Sequence, residues 1–152
     1  MSYLNYKNYK TDTTTNSATQ TTTEAGVVVN GLLFDYIPAH NASKVIFEYS
    51  FYAEKDYGIP FLYTKIEYSD DGGSSWSDFG QYQKIYGCSG SFNNFYIHYK
   101  VICNLGTWSG ERKIRVKAFE HNYSGSTNVS VLHYLSDLSE YINTNYLIYS
   151  EQ

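Results

Sequence analysis

From residue 26 onward, apolar and polar positions alternate in short runs separated by turn-forming residues. The clearest run is 43–53. There Val45, Phe47, Tyr49 and Phe51 fall on one face, and Lys44, Ile46, Glu48 and Ser50 on the other. A period of two is that of a strand with one buried side. Residues 61–69 repeat it, with Leu62, Thr64, Ile66 and Tyr68 against Tyr63, Lys65 and Glu67. Runs over 26–34, 79–87, 94–103, 113–119, 128–135 and 145–150 bring the expected count to about eight. The breakers between them are Asp70-Asp71-Gly72-Gly73, Gly87 and Gly90, Gly106 and Gly110, and Ser124-Gly125-Ser126. Only 135–142, with Leu135, Leu138 and Ile142, has helical spacing, for two turns at most. Regularly spaced strands with so little helix predict an all-β antiparallel sandwich, jelly-roll-like. No repeat of 20–50 residues is present, which excludes propellers and solenoids.

Residues 1–24 have a different texture. Tyr3, Tyr6 and Tyr9 recur every third residue beside Lys7 and Lys10, and a Thr-rich tract follows from Thr11 to Thr23. Such a segment holds too little apolar surface to offset its ordering entropy. It is expected to be an extended, flexible arm: either a disordered terminus, or an arm ordered against a partner with Tyr3, Tyr6 and Tyr9 as anchors. The expected division is thus 1–24 as arm and 25–152 as sandwich.

Composition adds an oddity. The 152 residues (17.5 kDa) include 18 Tyr, 8 Phe and 2 Trp, while charged residues make up 17%, against about 25% in an ordinary soluble domain. A net charge of −4 and a pI near 5.5 argue against a protein that tracks nucleic-acid phosphates. No run approaches the roughly 18 apolar residues of a membrane helix, and no charged segment followed by an apolar core suggests a signal peptide. Nucleic acid and membrane are therefore not expected partners.

The sharpest local pattern is Ser69-Asp70-Asp71-Gly72-Gly73-Ser74-Ser75-Trp76. It resembles the Asp-box hairpin of sialidases, with Ser75 where Thr is usual. In that family the box is a folding element and not the catalytic site. The residues agree: Asp71 is suited to bonding backbone amides in an Asx-turn, and Trp76 to packing back over it. Only Arg112 and Arg115 are present, too few for an arginine triad on a sialic acid carboxylate. Asp70, Asp71 and Asp78 lack EF-hand spacing and are expected to be solvated, not calcium ligands. His40, His98, His121 and His133 are scattered, without ligand spacing, and packing roles are expected for His98 and His133. Cys88 and Cys103 flank a turn and a strand; they either face each other across a hairpin or remain buried thiols. The sequons at Asn41, Asn122 and Asn128 are expected accidents of a Ser- and Asn-rich chain. No nucleophile elbow or phosphate loop occurs, so no enzyme, metal or cofactor is expected. The run 112–117 alternates Arg and Lys with Ile and Val, as a strand with a basic outer face or as an edge guarded by charge.

Many tyrosines fall on strands or their ends. Twenty-eight aromatics exceed what one core of this size is expected to bury with every hydroxyl satisfied, and exposed Tyr is enriched at interfaces. A subunit interface is the expected use. Trp76, Tyr86, Trp108 and Tyr123, placed on loops or strand ends, are the candidates for stacking on a glycan or another partner.

Residues 31–49, from Gly31-Leu32-Leu33-Phe34 through Ile37-Pro38 and Ser43-Lys44-Val45 to Tyr49, resemble the entry into a jelly-roll domain of fibre, appendage and capsid decoration proteins of tailed, especially marine, phages. The later Gly-Gly-x-x-Trp hairpin and the closing strand 146–151 are compatible with it. The chain departs from that family in lacking a Tyr-Leu-Asp-Ser-Pro segment and in carrying Cys88 and Cys103. Such domains are similar to C1q/TNF jelly rolls. The resemblance implies a homotrimer on the virion surface, held to a capsid or tail protein by residues 1–24. The alternative is a carbohydrate- or receptor-binding module at a fibre tip, recognising a host surface glycan.

Overall fold

The computed structural model describes residues 7–55, 61–86, 95–120 and 130–152. Twelve strands lie among them: β1 (Lys7–Thr14), β2 (Gln20–Thr21), β3 (Val27–Tyr36), β4 (Lys44–Lys55), β5 (Phe61–Ser69), β6 (Ser77–Tyr86), β7 (Phe95–Asn104), β8 (Arg112–Glu120), β9 (Ser130–Leu132), β10 (Tyr134–Leu135), β11 (Glu140–Tyr141) and β12 (Thr144–Glu151). The stretch expected to favour a helix holds one 3-10 turn, Ser136–Leu138, at the tip of the small β10–β11 hairpin. Three apolar residues without a flanking cap do not outweigh strand pairing on either side.

β4 organises the first sheet. Along one side, Ile46–Lys55 pair with β7 in unbroken antiparallel register. Along the other, Lys44–Ser50 pair with β12 and Ala53–Lys55 with β9. β9 and β12 therefore run end to end beside β4, as two pieces of one strand line with residues 133–143 inserted between them. β1 continues the sheet beyond β12, and β2 beyond β9. The second sheet has the order β3-β8-β5-β6. Counting each broken line once, and setting aside the small β10–β11 hairpin, leaves eight strands. In that count the first and last are neighbours in one sheet, and the second and seventh are neighbours in the other. That is the connectivity of a jelly roll.

Three expectations are corrected. The described part of the Thr-rich segment, 7–24, is no free arm but the opening strand line of the sandwich. Its polar side chains find partners inside the fold: Thr11 Oγ1 donates to the Tyr146 carbonyl at 2.8 Å, and Thr22 Oγ1 to the Glu120 carboxylate at 2.7 Å. The count of eight holds with different members, since this strand was not among those expected and β9 and β12 were counted separately. The basic strand 112–117 is β8, in the interior of its sheet between β3 and β5, so it guards no edge.

The inward positions fill one core. Val45, Phe47, Tyr49, Phe51 and Ala53 from β4 meet Val29, Leu32, Phe34, Leu62, Ile66, Ile114 and Val116 from the opposite sheet. Aromatic rings dominate this layer. Phe34 stacks on Tyr146 at 4.2 Å and Phe51 on Tyr99 at 5.0 Å, spacings at which ring quadrupoles add to area burial. Burying tyrosines requires partners for their hydroxyls. Thr64 of β5 serves two: its Oγ1 lies 2.6 Å from the Tyr49 hydroxyl and 3.1 Å from that of Tyr99. Burial pushes the Tyr99 phenol up to about 12 and Tyr49 higher. The Tyr36 hydroxyl likewise meets Ser150 Oγ at 2.7 Å. Thr64 and Ser150 thus take the hydroxyls of three buried tyrosines of the core.

Thr64→Val keeps the shape and removes the shared hydroxyl. Expected is a loss of about 2–4 kcal/mol, from the typical cost of depriving two buried groups of a bond. Urea unfolding with an unchanged m-value checks it, and a loss under about 0.5 kcal/mol overturns the role given to Thr64.

Candidate functional site

One end of the sandwich is built around the turn after β5. Asp71 Oδ1 lies 2.6 Å from Ser69 Oγ and accepts the Ser75 amide at 2.9 Å, while Oδ2 accepts the Ser75 hydroxyl at 2.6 Å. These bonds, Ser69 first and then Ser75, hold its carboxyl well below the usual carboxylate range. Trp76 folds back so that Nε1 donates to the Gly73 carbonyl at 3.0 Å. The sialidase-like motif is thus a self-contained hairpin lock. Two arginines of β8 sit over it. The Arg115 guanidinium lies 3.8 Å from the centre of the Trp76 ring and pairs with Glu67 at 2.6 Å. Arg112 lies 3.8 Å over Tyr68 and 5.2 Å from Trp108, and pairs with Asp70 at 2.7 Å. Asp78 pairs with Lys65 and accepts the Gly80 amide. Each aspartate considered for calcium is therefore engaged by the protein itself.

This arrangement bears on the four candidate stacking residues. Trp76 and Trp108 stand at the same end of the sandwich, each with an arginine against its ring. Trp108 also packs edge-on to Tyr36 and beside Phe79, and its Nε1 is buried without an acceptor among the described residues. Tyr86 ends β6, at the other end of that strand from Trp76. Tyr123 lies outside the described residues, as do Cys88, Tyr3 and Tyr6. Tyr9 is 70% exposed, on a bulge of β1 where the pairing shifts between Lys7 and Lys10. Cys103 is a half-buried free thiol whose pKa burial pushes up to about 12, an inert environment for that sulfur. No group of three or more metal-ligating side chains occurs among the described residues, and no helix is long and apolar enough to cross a membrane.

A second constellation escaped the sequence because its members are far apart in the chain. His133 is fully buried, at the break between β9 and β12. Its Nε2 lies 2.8 Å from Gln20 Oε1, and its Nδ1 3.2 Å from Thr144 Oγ1. Gln20 Oε1 also accepts the Asn30 amide at 2.7 Å, so it is an acceptor and the imidazole carries its proton on Nε2. Asn16 Nδ2 donates to Thr144 Oγ1 at 3.0 Å and to the Ile142 carbonyl at 2.8 Å, and its Oδ1 accepts from Asn30 Nδ2 at 2.7 Å. Five residues from three parts of the chain, Asn30 through both its main-chain and side-chain amides, thus close a ring around the strand break. Beyond it, the inserted hairpin is pinned over the sheet by the buried Glu54, whose carboxylate accepts both the amide and the hydroxyl of Ser136. The chemistry is structural: every polar atom named holds another element in place.

Both outer faces mix ion pairs with apolar residues. On the second sheet, Lys113 pairs with Asp35 at 3.3 Å, Arg115 with Glu67, and Lys65 with Asp78, beside the exposed Leu33 and the stacked Tyr63 and Phe119. On the first, the outward positions adjoin as Tyr149 beside Ile46 and Leu147 beside Glu48, with Ile102 next to Glu48 on β7. Tyr52 stacks on His98 in the same layer at 4.4 Å. The Glu48–Lys100 pair at 2.6 Å stands among these apolar neighbours.

Burial pushes the His133 imidazole down to about 4 from an ordinary 6.5. Between those values the unfolded chain binds the extra proton, so stability is full above about pH 6.5 and falls as pH drops toward 4. A loss of about 3 kcal/mol over that interval is expected. Unfolding midpoints measured from pH 7 to 4 check it: the slope should flatten in His133→Gln, and an unchanged slope in that variant overturns the assignment.

No family model matches the chain, and no curated protein matches it. Among solved structures, it is similar to a chain in a structure of the Gx strain of infectious bursal disease virus, at 7% identity and a TM-score of 0.38, over 95% of this chain and 37% of that one. The chain thus spans well under half the length of that neighbour, and a likeness so loose carries no argument about what the protein does.

Proposed function

We propose that this protein is a non-enzymatic structural subunit of a virus particle, a capsid decoration, fibre or tail appendage component on the virion surface that works by assembling with copies of itself. The observation that carries the reading is the outer face of the first sheet. There Tyr149 adjoins Ile46 and Leu147 stands beside Glu48, a cluster suited to contact with another protein surface, because enrichment in Tyr and few charges mark interface centres. The jelly-roll connectivity fits this use, since the fold serves in viral shells, though it serves lectins and other proteins as well. The resemblance to phage appendage domains gives the expected number, a homotrimer. Attachment to a capsid or tail protein passes through Tyr9, already exposed on the β1 bulge, together with Tyr3 and Tyr6 ahead of it.

A glycan-binding role is the weaker reading, because Arg115 and Arg112 already lie against the rings of Trp76 and Trp108.

Light scattering at micromolar concentration is expected to give three times 17.5 kDa or a whole multiple of it. Leu147→Lys, on the outward face, should break the threefold contact and leave the circular dichroism unchanged. A monomeric wild-type chain overturns the reading.

A further inference from the structure

A sandwich of two open sheets has lateral edges, and an unprotected edge invites pairing with another strand. On one side, the edges of β1–β2 and β3 are sealed against each other. Lys10 Nζ donates to the Asp35 carbonyl at 3.0 Å, Asn8 Nδ2 to that of Ile37 at 3.3 Å, and Gln20 Nε2 to that of Val28 at 2.8 Å. Both strands also carry bulges: pairing shifts between Lys7 and Lys10 in β1, and between Val28 and Leu33 in β3, where Gly31 adopts a φ of +83°. On the other side, β6 is bulged at Gly80, φ +73°, where its register against β5 shifts. β7 is different. Its ten residues keep unbroken register with β4, include no proline or glycine and only Lys100 as a charged residue, and pair with no other strand among the described residues.

We infer that β7 pairs with β7 of a second copy of this chain, antiparallel and about a twofold axis at Tyr99, joining two sheets into one. The register follows from the side chains. β7 presents two exposed large apolar residues, Tyr96 at 37% and Ile102 at 63%, three positions on either side of Tyr99. A twofold there sets Ile102 of one copy opposite Tyr96 of the other, twice, and Lys100 opposite His98. Shifting the axis to Lys100 would face lysine with lysine and leave both apolar residues against polar ones, a penalty in directly opposed pairs. An interface of this kind is isologous, so it closes on itself and forms no fibre. It also extends the apolar outer face of the first sheet across both copies. The contact is separate from the threefold one and does not depend on it.

The test uses cysteine pairs and mass in the full chain. With Cys88 and Cys103 replaced by Ser, oxidation of the Tyr96→Cys/Ile102→Cys double variant is expected to give a covalent dimer on non-reducing gels, and neither single variant to give one, since each has no cysteine opposite it. In the otherwise native chain, Ile102→Lys charges the edge and should halve the mass, as six copies to three or as two to one. That factor of two reports the β7 contact, and divisibility by three reports the trimer, so either can fail alone. Equal cross-linking by the single variants, or a mass unchanged by Ile102→Lys, overturns the proposal.

Discussion

The sandwich depends on how the second side of β4 is covered. β4 is twelve residues long, and its backbone groups need partners along the whole length. β12 reaches only as far as Ser50, so a second piece, β9, completes the line opposite Ala53–Lys55. The break between the two pieces is held by the ring of Gln20, His133, Thr144, Asn16 and Asn30. Removing any one member leaves buried polar atoms unpaired in a low-dielectric setting, where each is costly. The same ring fixes the opening strand line, because Asn16 and Gln20 belong to it. One polar cluster therefore ties the first strand, the last strand and the inserted hairpin to a single geometry.

The aromatic excess divides between two uses. Inside, Phe34, Phe47, Phe51, Tyr49, Tyr99 and Tyr146 form much of the core, with Thr64 and Ser150 accommodating phenols that would otherwise be stranded. Outside, aromatic rings serve as platforms for cations: Arg112 lies over Tyr68, and Arg115 over Trp76. Such stacks add to the ion pairs those arginines make with Asp70 and Glu67, since guanidinium is weakly hydrated and plane-matched to a ring. The polar end of the sandwich is thus stiffened from within.

The alternating strands from 43 to 69 were legible because a period of two with one apolar face has few other meanings. The Asp71 turn was legible for a local reason: every bond it makes falls within six residues of Ser69. The opening strand was not. Its Thr and Asn residues have the composition of a disordered tail, and only their partners, Tyr146, Glu120 and Thr144, reveal them as structural. Those partners stand about a hundred residues away or more. His133 was hidden for the same reason, being one more polar residue in a run until Gln20 is brought to its Nε2.

The sequence by itself determined the class of fold, its approximate strand number, the inward faces of β4 and β5 and the hairpin lock at Asp71, all of which rest on contacts within or next to one element. Tertiary structure alone decided which strand lies beside which, that the Thr-rich segment joins the sheet, that 112–120 is interior, and that β7 pairs along one side only among the described residues. These are questions of pairing between distant segments. A chain with one inward face per strand permits several such pairings, and the choice among them is made by packing and by the satisfaction of buried polar groups.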